Sequence, residues 1–318
     1  MSIETYEKIF NVPENPFVKI GNIRGHIDVS PGEDGIVSVT VTRHPGSGSS
    51  ERTEIILEQN EEGHVIINAK YPESFSGILF GFLNRPERVD FIVTVPKNCD
   101  LSVKTVSGNA EVKGLAGNIY IGSVSGSYVT EDIGGTLKLD TVSGAIEGHR
   151  LSGPLTLKSV SGRAKLHDSN FPSLQAKTVS GSLTLETPLG EGPYQVGSVS
   201  GRLVLVVPDG TSCTANISSV SGSVHTDLPN AQVWRDSSPG KRHQRVTIGE
   251  GGPEISLKSV SGSLRIVRQE GYAEAENASS AKVDMAKVEK QTASKMDTLE
   301  RIARGELSVD DAITNLQG

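Results

Sequence analysis

The sequence predicts a mainly β protein: a β-solenoid of single-stranded rungs, 18–21 residues each, with a β-rich N-terminal cap and a C-terminal helical hairpin. Three observations carry this expectation. A four-residue motif, SVSG or TVSG, occurs eight times, with its valine at positions 106, 124, 142, 160, 179, 199, 220 and 260. Apolar residues flank each copy with a period of two, the signature of a strand with one buried face. After residue 280 the apolar period changes to that of a helix.

Taken in chain order, residues 1–95 read as the cap. The segment VKIGNIRGHIDV, residues 18–29, is a worn copy of the repeat: Val18 and Ile20 precede Ile23, then come Gly25, Ile27 and Val29. Residues 36–41, 54–57, 65–69 and 89–95 also alternate as strands. An open array end is an unpaired strand edge, so a cap is expected there.

Residues 96–268 form the repeat domain. Leu101 and Val103, Ile119 and Ile121, Leu137 and Leu139, and Leu155 and Leu157 precede their valines by five and three positions. Ala164 and Leu166, Leu183 and Leu185, Leu203 and Leu205, and Leu264 and Ile266 follow theirs by four and six. The parity of the buried positions changes across the motif, so the chain bends there. The corner glycines are Gly108, Gly126, Gly144, Gly162, Gly181, Gly201, Gly222 and Gly262. Glycine is expected at a bend whose backbone conformation a side chain would penalise. The Ser and Thr hydroxyls are expected to bond backbone groups of the bend, or the equivalent hydroxyl one rung away. The last step, 40 residues, reads as two rungs with one motif lost.

Residues 269–280 are small and polar, a linker. In 281–318, Met285, Val288, Thr292, Met296, Leu299, Ile302 and Ala303 follow helical spacing up to Gly305. Ser308 and Asp311 suit a capping box for a second helix carrying Val309, Ala312, Ile313 and Leu316. Two short helices bury little surface alone, so Leu299, Ile302, Ile313 and Leu316 are expected to dock on a protein partner or a second copy.

Composition narrows the function. A net charge of −7 gives no basic footprint for nucleic acid. No 18-residue apolar run is present, and the N-terminus lacks a secretory pattern, so a cytoplasmic address is expected. Cys99 and Cys213 fall on rungs roughly 28 Å apart at about 4.7–4.9 Å per rung, too far for a disulfide. No phosphate-binding G-x-x-x-x-G-K loop occurs, and no cofactor is expected.

Three groups of residues remain as candidates for chemistry or contact. His149 and His167 each lie seven residues after a repeat valine, in a column with Glu131 and Glu186, and with Asp132 and Asp168 one position on. Such a column can hold zinc or act as an acid–base pair, although a solvated turn accounts for it as well. ESFSGILFGFLNRPER, residues 73–88, places Phe80, Phe82 and Leu83 in a loop, as a folded cap or as a partner or membrane-surface contact. VWRDSSPGKRHQRV, residues 233–246, carries the single Trp, Trp234, with Arg235, Lys241, Arg242 and Arg245. A basic loop around an aromatic suits a phosphate or a glycan.

FIVTVPKNCDLSVKTVSGNAEV, residues 91–112, resembles the toastrack family of bacterial "putative adhesins" in its Val95-Pro96 strand end, Leu101, Val103, the Thr105–Gly108 corner, Ala110 and Val112. The resemblance spans residues 18–268 and implies a strand-repeat fold, surface adhesion by name, and no catalytic residues to carry over. LERIARGELSVDDAITNL, residues 299–316, is similar to short two-helix modules attached to such proteins and implies oligomerisation or docking. The expected function is a non-catalytic scaffold or binding protein in bacterial envelope stress or related signalling. A surface adhesin or glycan binder is one alternative, and a carbohydrate-active β-helix enzyme is another.

Overall fold

The computed structural model describes residues 3–44, 53–70, 87–220, 223–228, 231–238 and 241–269. Every element among them is a strand, and none is a helix. The fold class is therefore corrected to mainly β, with parallel strands in large sheets and no helical hairpin shown. The expected hairpin, residues 281–318, lies outside the described residues. The chain divides into two units, Met1–Leu139 and Asp140–Gly318.

The N-terminal unit opens with β1 (Glu4–Asn11), β2 (Phe17–Asn22), β3 (His26–Pro31), β4 (Ile36–His44), β5 (Glu54–Gln59), β6 (Val65–Lys70) and β7 (Arg88–Val95). The repeats follow as β8 (Asp100–Thr105), β9 (Asn109–Lys113), β10 (Ile119–Ser123) and β11 (Tyr128–Glu131), and β12 (Leu137–Thr141) spans the boundary. The worn copy forms a full rung: β2 pairs in parallel with β8, and β3 with β9. On its other side β3 pairs in parallel with β7, which turns antiparallel to β4, and β4 pairs antiparallel with β1. Strand β2 similarly pairs in parallel with β6, which is antiparallel to β5. Inward residues of this unit are apolar and fully buried, including Val18, Ile20, Ile27, Val29, Phe91, Leu101 and Val103. Each such side chain contributes roughly 1.5–3 kcal/mol on burial.

The C-terminal unit continues with β13 (Ala145–His149), β14 (Leu155–Ser159), β15 (Arg163–His167), β16 (Leu174–Thr178), β17 (Ser182–Glu186), β18 (Tyr194–Ser198) and β19 (Arg202–Val207). It ends with β20 (Cys213–Ser219), β21 (Ser223–Thr226), β22 (Gln232–Ser238), β23 (Lys241–Ile248), β24 (Glu254–Ser259) and β25 (Ser263–Arg268). Up to β19 the rungs stack in sequence order: β13, β15, β17 and β19 form one parallel ladder, and β14, β16 and β18 the other.

The order then changes. β24 lies between β18 and β20, and β25 between β19 and β21, all in parallel. The corner hydrogen bonds agree: the Val260 N–H donates to Ser198 O and the Ser261 N–H to Val199 O. The reading of residues 220–260 as two rungs with one lost motif is thus corrected. The chain leaves the stack after β21 and makes the β22–β23 hairpin. It then returns to insert its last rung beneath the one before.

At six corners the first Ser or Thr is buried and its hydroxyl accepts from the corner glycine's N–H, whereas Ser123 Oγ instead donates to Gly126 O at 2.7 Å. The distances are 2.9 Å for Thr105–Gly108, 3.0 Å for Thr141–Gly144 and 3.1 Å for Ser159–Gly162. They are 3.0 Å for Thr178–Gly181, 2.7 Å for Ser198–Gly201 and 2.8 Å for Ser259–Gly262. The second serine donates to the valine carbonyl of the rung before, as Ser125 does to Val106 at 3.1 Å. The hydroxyls thus bond backbone, the first of the two arrangements expected.

The glycine serves a different purpose from the one its position suggests. None of the described corner glycines has a positive φ. What excludes a side chain is the neighbouring corner: a Cβ on Gly181 would sit 2.1 Å from Gly162 O, and one on Gly201 2.1 Å from Gly181 O. Left-handed backbone occurs instead at the end of the second strand, at Gly114 (φ 69°), Asp132 (55°), Arg150 (52°) and Asp168 (50°).

Gly181→Ala should lower stability by about 1–3 kcal/mol, because the backbone atom it meets cannot move aside. Gly197→Ala on β18 meets nothing closer than 3.9 Å and should be neutral or slightly stabilising. Thermal melts of the two variants check this, and equal melting temperatures would contradict the close-approach account.

Candidate functional site

The 233–246 segment is not a loop. Strands β22 and β23 form an antiparallel hairpin, and β23 pairs antiparallel with β20. Alternation along β20 turns Cys213, Ala215 and Ile217 inward, where they are buried, and leaves Thr214, Asn216 and Ser218 on the outer face. The register then aligns outer residues across strands. Trp234 faces Arg245, Arg245 faces Asn216, and Asn216 faces Ser256, which neighbours Gln195 of β18. The next row holds Asp236, His243, Ser218 and Lys258. Rows of this kind advance by about 4.7–4.9 Å per strand.

Trp234 is 75 % exposed, against the strong tendency of this side chain to be covered. Beside it lies a depression of about 240 Å³ lined by Asn216, Trp234, His243, Gln244, Arg245 and Lys258, among others. That is smaller than the roughly 300–1,000 Å³ of pockets that enclose a ligand, so this face can seat a ring or one end of a chain but not engulf it. The Arg245 guanidinium is aimed by a 3.2 Å hydrogen bond from Nε to Asn216 Oδ1. The surface combines a flat aromatic, cations and amide or hydroxyl groups.

Of the residues expected here, Trp234 and Arg245 come together. Arg235 faces Gln244 in the alternate row and is separated from Trp234 by the strand's own alternation. Arg242 lies on β23 opposite Ser219 and Ser237. Asn216, His243, Ser256 and Lys258 were not singled out by sequence. They reach the site through an antiparallel hairpin and an out-of-order strand, which no local pattern announces.

Of the expected histidine column, His149, His167 and Glu186 come together in the C-terminal unit. His149 and His167 are register partners with rings stacked at 5.6 Å, 26° from parallel. His167 Nδ1 lies 3.1 Å from Glu186 Oε2, and Gln269 Nε2 donates to Glu186 Oε1 at 2.6 Å. The rings lie face to face, and Glu186 meets only one of them. Among the described residues, three potential ligand groups lie close together elsewhere, at His26, Asp28 and Glu111. Phe80, Phe82 and Leu83, Gly222, and the tail residues Leu299, Ile302, Ile313 and Leu316 lie outside the described residues.

Among sequence families, the Toastrack DUF4097 model matches residues 23–267. The chain belongs to this family. No curated protein matches it. A "putative adhesin" from Bacteroides fragilis is 12 % identical, with 83 % of this chain and 97 % of that chain covered and a TM-score of 0.47. A "putative adhesin" from Parabacteroides merdae is also 12 % identical, covering 83 % and 96 %, at a TM-score of 0.43. A "putative cell adhesion protein" from Clostridium sporogenes is 13 % identical, covering 84 % and 100 %, at a TM-score of 0.25.

Within the toastrack region neither cysteine is a nucleophile at neutral pH. Both are buried and free. Burial, with Asp100 beside it, pushes the Cys99 thiol up to about 12, and burial pushes Cys213 up to about 11. A thiol-specific reagent such as Ellman's should therefore titrate neither in the native protein and both after unfolding in guanidinium. Rapid labelling of the native chain would contradict this.

Proposed function

We propose that this toastrack chain is a non-catalytic binding protein of the adhesin type, whose ligand face is the outer surface of β22, β23, β20 and β24 and whose ligand is an acidic saccharide. The observation that carries the reading is Trp234, three-quarters exposed and in one cross-strand row with Arg245 and Asn216. An indole face stacks on the apolar face of a sugar ring, a guanidinium pairs with a carboxylate, and amides and hydroxyls bond ring hydroxyls. Among the described residues no wall encloses this face, which suits a chain-like ligand that passes across it. This reading places the protein where envelope or extracellular glycan is met, in place of the cytoplasmic address expected from the N-terminus.

Trp234 is the only tryptophan in the chain, so indole emission reports on this face alone. Titration with oligogalacturonate should quench or shift that emission, and neutral dextran oligomers should do so much less. Trp234→Ala should weaken binding by about 30-fold, an anchor residue's roughly 2 kcal/mol, measured by calorimetry. Arg245→Gln should remove the preference for the acidic oligomer. No spectral change with any acidic saccharide, or affinity unaltered by both substitutions, overturns the reading.

A second role, assembly through residues 281–318, is supported by the helical period there. The full chain should then sediment as an oligomer and a chain ending at Arg268 as a monomer. The same number of chains per particle in both at matched concentrations removes the assembly role.

A further inference from the structure

The other unit carries a second, unrelated group. His26 and Asp28 alternate on β3, which puts both on its outer face, and Glu111 of β9 is the direct register partner of Asp28. One ligand atom from each of the three, an imidazole nitrogen and two carboxylate oxygens, lies within 4.8 Å of the others, and all three residues are partly buried.

Two carboxylates face one another across β3 and β9, and Lys113 pairs with Glu111 but not with Asp28. Like charges directly opposite on neighbouring strands are destabilising. The row to which the carboxylates belong reads Ile92, Asp28, Glu111, Val129, with an apolar residue at either side and no Lys or Arg. Lys113 reaches Glu111 and is shared with Glu131. Among the described residues no hydrogen bond or ion pair engages the Asp28 carboxylate or the His26 ring. The His26 backbone is held, however: its N–H donates to Asp90 Oδ1 at 2.8 Å. Asp90 is in turn bound by His44 and Arg88. Burial pushes the Asp90 carboxyl up, but Arg88, the His26 N–H and His44 outweigh it and hold the group below the usual carboxylate range.

We propose that His26, Asp28 and Glu111 form a binding site for a divalent transition-metal ion of the zinc type, bridging β3 and β9. Zinc accepts imidazole nitrogen and carboxylate oxygen alike, and its sites with three protein ligands leave an open fourth position. Calcium prefers six to eight oxygens and magnesium retains its water, so neither fits an imidazole-containing trio. The paired strands supply a stiff base, and small changes in side-chain rotamer bring the donors from their present spread to metal–ligand distances of about 2.0–2.2 Å. The bound ion removes the repulsion between Asp28 and Glu111, so it also fastens the worn first rung to its neighbour.

The experiment is calorimetric titration of the full chain, stripped with EDTA and exchanged into buffer, with zinc chloride and separately with calcium chloride. One zinc equivalent should bind and calcium should not. Asp28→Asn and Glu111→Gln should each weaken zinc at least tenfold, and His167→Ala should leave it unchanged. Cobalt loaded into the unsubstituted chain locates the site without relying on any variant's folding: its paramagnetism should broaden backbone signals around residues 26–28 and 109–113. Absence of zinc binding overturns the proposal, as does affinity indifferent to both carboxylate substitutions. Loss of binding in His167→Ala, or broadening centred on residues 149–167, assigns the metal to the histidine stack and equally overturns it.

Discussion

The structure depends on the approach of one corner glycine to the next. Each corner's N–H groups donate to the corner before it, so the parallel ladder continues through the bend instead of breaking there. That continuity brings a glycine carbonyl to within about van der Waals contact of the next glycine's Cα, and the space for a Cβ disappears. The buried Ser or Thr preceding the valine completes the arrangement by accepting the one corner N–H, the glycine's own, that turns back into the bend. A buried N–H left without a partner costs about 1–3 kcal/mol, which explains a hydroxyl residue at that place. Valine between them is the variable part. It is buried at 124, 142 and 160 but 41 % exposed at 199 and 48 % at 220 and 260, so what the motif preserves is the backbone geometry on either side of it.

Such a ladder was readable because its demands are local. Period-two alternation, a parity change and a small residue at the bend all fall within one rung, and the copy at 18–29 could be recognised despite its loss of SVSG. The reason for the glycine was not readable, since a close contact with another rung leaves the same residue type as a positive φ. Sequence order was equally misleading at the end of the array. The spacing of 40 residues between Val220 and Val260 is compatible with a lost rung or with an excursion and return, and only the pairing of β24 with both β18 and β20 separates them.

The candidate binding face shows the same limit. Trp234 and Arg245 stand out in a basic, aromatic segment, and their neighbours in chain could be named with them. Read as a loop, which has no sides, the segment groups Arg235 with Trp234. Once the segment is a strand, adjacent residues point to opposite faces, and Arg235 leaves the group while Asn216 and Ser256 enter it. Likewise His26 and Asp28 are an unremarkable pair in sequence. Their significance comes from Glu111, more than eighty residues on, which a parallel neighbour places directly opposite.

The two sites relate differently to the repeat. A rung in regular sequence must match its neighbours in length and corner, and its outward residues lie in columns that charge repulsion keeps mixed, as in the Lys113 bridge to both Glu111 and Glu131. Where the chain leaves the simple order, those restraints are relaxed. In the N-terminal unit β7 enters between β3 and β4, and in the C-terminal unit β24 enters between β18 and β20. At β24 the insertion sets strands remote in sequence side by side next to an antiparallel hairpin, so the row of Trp234, Arg245, Asn216 and Ser256 combines residues that no regular rung would bring together, whereas His26, Asp28 and Glu111 lie on the regular parallel pair β3–β9. The proposed saccharide face therefore lies where the repeat is interrupted, while the proposed metal site lies across two rungs in regular register.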